Sequence, residues 1–85
     1  MALVLLRAPL SELAGGREHA LEGDTVLDVL VALESACPPI AGWVLDERRA
    51  IRTHVNVYVN GDLAQAGTAV GAPDRIHVLP AITGG

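Results

Sequence analysis

The residues with the most chemistry to offer are the last five, Ala81-Ile82-Thr83-Gly84-Gly85, which follow Leu79-Pro80. Two terminal glycines put the carboxylate of Gly85 on a thread without a nearby Cβ, slim enough for a slot that no side chain could enter. There the carboxylate can attack the α-phosphate of ATP to give an acyl-adenylate, and a sulfur or nitrogen nucleophile can then reach the carbonyl unhindered. A terminal Gly-Gly is weak evidence alone, since glycine at about 7% of residues produces the pair by chance in about one chain in two hundred. An appended scar is the other bland explanation. The internal Gly15-Gly16 is a control: lacking a free carboxylate, it can only make a turn.

No other residues assemble into a reaction centre. There is no Ser-His-Asp order, paired-carboxylate setting, Walker loop or dinucleotide fingerprint, so an enzyme acting alone is not expected. Cys37 could hold sulfur as a persulfide, but it falls at the C-terminal end of an expected helix, on its apolar face and before Pro38-Pro39. The negative end of the helix dipole disfavours thiolate there, so a buried structural thiol is expected. His19, His54 and His77 lack ligand spacing, and with no second cysteine no metal site is expected. His54 and His77 could approach each other on neighbouring strands. Trp43 is read as a core filler, and Arg48, Arg49 and Arg52 as a solvated loop that could alternatively grip an acidic partner.

Composition narrows the classes further. Eighty-five residues make one domain that buries about 60 to 65% of the unfolded chain's surface. Phe is absent and Trp43 and Tyr58 are the aromatics, so Leu, Val, Ile and Ala must fill the core. The net charge is -4 and the six cations are scattered arginines, which argues against nucleic acid as a partner. Lysine is absent, so the protein has no side-chain amine to which a copy's tail could be joined. No stretch is long enough to span a bilayer, Ala2–Leu6 is too short for a signal sequence, and a single cysteine fits a reducing compartment; the expected location is the cytoplasm.

The elements that must hold out the tail follow from periodicity. Leu3–Ala8 is an aliphatic run that predicts a strand central in its sheet, and Gly15-Gly16 turns the chain into a second strand, Arg17–Leu21. Thr25-Val26-Leu27-Asp28 has the form of a capping box, and Val26, Val29, Leu30, Leu33 and Cys37 share one face of the helix it starts. A second short helix carrying Trp43 is expected over Ile40–Leu45. Thr53–Val59 alternates Val55, Val57 and Val59 with His54, Asn56 and Tyr58. Asn60-Gly61 predicts a hairpin turn into an edge strand, Asp62–Gln65. Ala66–Pro73 is a loop anchored by Val70, and Arg75–Leu79 is the last strand, where Pro80 removes a ladder donor.

This order predicts an α+β fold of the ubiquitin-like β-grasp type: a mixed sheet of four to five strands with one main helix across it. Residues 1–80 would form the domain and 81–85 a flexible tail. The last strand would lie between the first strand and Thr53–Val59, so that His54, Asn56 and Tyr58 share an outward face with Arg75, His77 and Leu79. Tyr58, His77 and Leu79, with Ile82, are the expected partner-binding face.

Val55-Asn56-Val57-Tyr58-Val59-Asn60, followed by Val78-Leu79-Pro80-Ala81-Ile82-Thr83-Gly84-Gly85, resembles the ThiS and MoaD sulfur-carrier proteins, and the ending is most similar to the MoaD and CysO-type branch. Gly23-Asp24-Thr25-Val26 and the loop around Gly15 agree. The resemblance spans nearly the whole chain, but only the tail motif is specific. It implies that a ubiquitin-activating-like adenylyltransferase uses ATP and magnesium to adenylate Gly85, and that a sulfur source then displaces AMP to leave a thiocarboxylate. A second, sulfur-accepting biosynthetic enzyme would draw on it. Gly85 would carry the reacting carbonyl, Gly84 would allow entry, and Ala81, Ile82 and Thr83 would span the channel. The carrier itself would bind no cofactor, perform no catalysis and be a monomer when alone. Two alternatives stay open: a ubiquitin-like modifier joined through Gly85 to lysines of target proteins, and a β-grasp binding subunit with an inert tail.

Overall fold

Alternation in Ala2–Leu6 sends Ala2, Val4 and Leu6 into the interior and leaves Leu3 and Leu5 half-buried on the opposite face, which defines strand β1. In the computed structural model, which describes residues 1–80, β1 runs between two neighbours. Strand β2, Glu18–Leu21, pairs antiparallel with it, from Ala2 opposite Leu21 to Leu5 opposite Glu18. Strand β5, Arg75–Pro80, pairs parallel with its other edge, from Leu3 opposite Arg75 to Leu6 opposite Val78. Between β1 and β2 the chain makes a single helical turn, α1 (Leu10–Leu13), whose Leu10 is buried.

Helix α2, Val26–Ala36, begins where expected: Thr25 is extended and its hydroxyl accepts the Asp28 amide at 3.2 Å. Val26, Val29, Leu30 and Leu33 are fully buried against the sheet, each contributing about 1.5 to 3 kcal/mol through removal from water. The helix stops at Cys37, because Pro38 and Pro39 cannot continue its ladder and instead open a 3-10 turn over Pro38–Ile40. The short helix expected over Ile40–Leu45 is thus displaced onto the two prolines, whose fixed φ suits a helical first turn.

Strands β3, Val55–Val59, and β4, Asp62–Leu63, complete a five-stranded sheet in the order β2-β1-β5-β3-β4. The α+β, β-grasp architecture is therefore as the sequence predicts, and the last strand lies between β1 and β3. β5 takes the centre that the sequence suggests for β1, although β1 too is paired along both edges. Several elements are shorter than their hydrophobic patterns. β3 begins two residues after Thr53, since the Val55 amide donates to the Arg52 carbonyl in a turn, and β4 stops at Leu63. Asn60 and Gly61 both have positive φ (51° and 92°), the conformation a two-residue hairpin with matching twist requires.

Candidate functional site

Everything that could present residues 81–85 converges on the end of β5. This strand is paired on both sides, with β1 and β3, and Pro80 stands opposite Val55. Ile76 and Val78, on the inner face of the strand, are fully buried, so its position is fixed by the core. Ala81, Ile82, Thr83, Gly84 and Gly85 themselves lie outside the described residues.

The sheet face turned away from α2 carries the expected partner-binding residues together. Tyr58 pairs with His77, and Asn56 pairs with Leu79 on the next outward position. The Tyr58 row extends across all five strands: Glu18, Leu5, His77, Tyr58 and Leu63 occupy successive positions of one rung. Leu5, His77, Tyr58 and Leu79 are half-buried, and Leu63 is 69% exposed. Sequence reasoning did not single out Leu5 and Leu63 for this face, although both follow from alternation once the register is known. His54 falls in the turn before β3, and His77 is paired with Tyr58, so the possible approach of His54 to His77 is not made.

At the end of the molecule where β5 reaches Pro80, a second group of residues gathers. The Arg52 amide donates to the Val44 carbonyl at 2.9 Å, and the Arg52 side chain donates to the Gly42 carbonyl. Glu34, half-buried on α2, accepts the amides of Val44 and Leu45, both at 3.0 Å. Between them stands Trp43, which is 49% exposed. The expectation that it fills the core is corrected: Ile40, Val44 and Leu45 occupy that space, and the indole is turned out between them.

The following loop is held by Asp46, which accepts from the amides of Ala50 (3.0 Å) and Arg48 (2.8 Å). Its carboxyl is held below the ordinary value, first by the Ala50 amide, which outweighs the opposing desolvation, and then by the Arg48 amide and the Arg48 and Arg52 charges. At the other end of β5, Asp74 accepts from the Asn60 side chain (2.9 Å) and the Gly71 amide (3.0 Å), and its carboxyl is likewise lowered.

Cys37 is buried, and its Sγ lies 3.9 Å from Nδ1 of His19, a neighbour the sequence did not reveal. His19 Nε2 is 3.0 Å from the Gly16 carbonyl. With Nε2–H donating there, Nδ1 is left to accept from the thiol, a contact that ties the helix end to β2. No helix among the described residues is long and apolar enough to cross a membrane.

Comparison with known proteins agrees with this fold, and the family match includes the last five residues. The profile of the ThiS family matches residues 4–85. The chain belongs to the ThiS family. This member of the family, a group of small ubiquitin-like carrier and modifier proteins, is 36% identical over 83 residues to small archaeal modifier protein 1 of Haloferax volcanii, covering 94% of this chain and 95% of the relative. The crystal structure of that SAMP1 superimposes with a TM-score of 0.85 over 99% of this chain and 98% of its own. A chain of the Amycolatopsis orientalis BexX/CysO complex, 27% identical, superimposes with a TM-score of 0.87 over the full length of both. The ThiS, MoaD and CysO resemblance read from the tail and from β3 thus falls in the right family.

Proposed function

We propose that this ThiS-family protein is a sulfur carrier, a protein substrate of one enzyme and a sulfur donor to another. The observation that carries this reading is that the family match runs to residue 85 and includes the diglycine, while β5 brings the chain to Pro80 from the middle of the sheet. A carboxylate oxygen of Gly85 attacks the α-phosphorus of ATP, bound with magnesium on a ubiquitin-activating-like adenylyltransferase, and pyrophosphate leaves. Sulfide then attacks the acyl carbon and expels AMP; a persulfide would do the same, with a thiol afterwards cleaving the S–S bond. The product is a thiocarboxylate, a soft nucleophile that a second, sulfur-accepting enzyme can draw upon.

The carrier's share of this work is positional. Gly84 and Gly85 pass through a narrow entrance, Ala81, Ile82 and Thr83 span it, and the face of Leu79, His77 and Tyr58 docks on the partner's surface. Complex formation by a protein of the same fold, in the BexX/CysO assembly, is consistent with such docking. The protein works in the cytoplasm, where ATP and both enzymes are at hand. Deleting Gly85 should abolish ATP–pyrophosphate exchange by the adenylyltransferase; exchange that continues undiminished would rule the scheme out.

A second reading is favoured by the likeness to small archaeal modifier protein 1: the same adenylate could be passed to lysines of target proteins. The lack of lysine in this chain would then confine it to single additions on any lysine, without chains built on its own side chains.

A further inference from the structure

We infer that Trp43 is a docking anchor for the adenylyltransferase that receives the tail, and that the surface it enters is an apolar pocket flanked by carboxylates. This rests on the carrier reading above and deepens it by naming a contact outside the sheet face. The indole is 49% exposed, yet the backbone around it is fixed from several directions. Its own amide donates to the Ile40 carbonyl at 2.9 Å, the next two amides are held by Glu34, and Arg52 holds the carbonyls of Gly42 and Val44. The residues flanking this loop, Ile40, Val44 and Leu45, are buried. A large aromatic presented from such a frame loses little freedom on binding, which is the character of interface residues that carry most of the affinity.

Its place in the fold puts it within reach of that partner. Arg52 bonds to the Trp43 loop through its amide, and its carbonyl accepts the Val55 amide at 2.9 Å; Val55 is the residue opposite Pro80. The loop that carries Trp43 therefore lies at the end of the molecule where β5 reaches Pro80, and a protein that takes up the residues after Pro80 meets Trp43 at its rim. Around it the exposed surface is mainly cationic and apolar: Arg48, Arg49 and Arg52, which outnumber the one exposed acid of the loop, Glu47, and Pro38, Pro39 and Ala41 on the turn before it. Of the other nearby acids, Asp46 and Glu34 are turned to backbone amides. Carboxylates beside a hydrophobic pocket are the complement of this surface.

The test uses the full-length carrier, the adenylyltransferase and ATP with magnesium. Trp43 is the only tryptophan, so carrier labelled with 5-fluorotryptophan gives a single fluorine resonance. That resonance should shift or broaden when the enzyme is added. In steady-state adenylation, Trp43→Ala should raise KM about tenfold or more with kcat within about twofold, and Trp43→Phe should recover most of the loss. An unmoved resonance in a mixture that turns over, or an unchanged KM for Trp43→Ala, would overturn the inference while leaving the carrier reading intact. A resonance that moves with carrier concentration alone would mean that a second copy covers the indole, and would equally overturn it. If the unaltered carrier is not adenylated at all, the carrier reading falls and this inference with it. Should Trp43→Ala fail to fold, the fluorine resonance decides alone.

Discussion

Tyr58 on β3 stands directly opposite His77 on β5, with Leu5 on the far side of the histidine and Leu63 beyond the tyrosine. This row lies on the sheet face away from the core, so its side chains can be changed without emptying the interior. His77→Asp should raise the KM for adenylation about tenfold by placing a charge in the docking face, and cost at most about 1 kcal/mol of stability. Steady-state kinetics and a thermal melt of the same preparation check both halves. Unaltered kinetics would remove this face from the docking surface.

Gly23 should not tolerate a side chain. A Cβ there would lie 2.8 Å from the Val29 amide nitrogen and 2.8 Å from Val29 Cγ2, so the first turn of α2 would have to move. Gly23→Ala should destabilise the fold by about 1 to 3 kcal/mol, measured by urea denaturation. A variant as stable as the parent would mean that the turn before α2 yields freely.

Glu34 holds the Trp43 loop to the main helix, and its removal should be felt there. Glu34→Ala leaves the amides of Val44 and Leu45 without their acceptor, and should cost about 1 to 3 kcal/mol. Amide exchange at Val44 and Leu45 should accelerate more than at the sheet centre. Equal protection in both proteins would refute the clamp.

Stability should depend on acid through Asp74. Folding lowers its pKa below the ordinary 3.8, chiefly through the Asn60 side chain and then the Gly71 amide, so the ionised form is the favoured one in the fold. The contribution is therefore complete above the ordinary value and is lost as pH falls through the lowered one. The gap in Tm between the parent and Asp74→Asn should narrow as pH drops from about 6 to below 3. A gap that stays constant would contradict the assignment.

The deepest packing should be the costliest to disturb. Leu33 is fully buried on α2, and Leu33→Ala should lose about 2 to 5 kcal/mol in urea denaturation. A smaller loss would mean that the helix can settle into the gap.

The parts of this molecule that depend on short-range pattern were legible in its sequence. Thr25 starts α2, Asn60-Gly61 makes the hairpin, and the alternation of Ile76 and Val78 sets which face of β5 is buried. The tail motif and the β3 motif pointed to the family. What escaped was decided by groups distant in sequence. Trp43 reads as core by type alone; it stands outside because Ile40, Val44 and Leu45 fill the space and the carboxylate of Glu34, ten residues before Val44, holds the loop in place. The contact between Cys37 and His19, eighteen residues apart, has no local signature. Alternation places His54 in a strand because the pattern extends past the turn that Arg52 closes.

The central claim concerns one atom of Gly85. The protein should be coexpressed with its adenylyltransferase and a sulfur source, and its intact mass and C-terminal peptide determined by mass spectrometry. The account predicts a mass gain equal to sulfur in place of one oxygen, located at Gly85 and abolished by one added alanine beyond it. An unaltered Gly85 carboxylate in the presence of an active adenylyltransferase, or Gly85 found only in isopeptide linkage to lysines of other proteins, would contradict it.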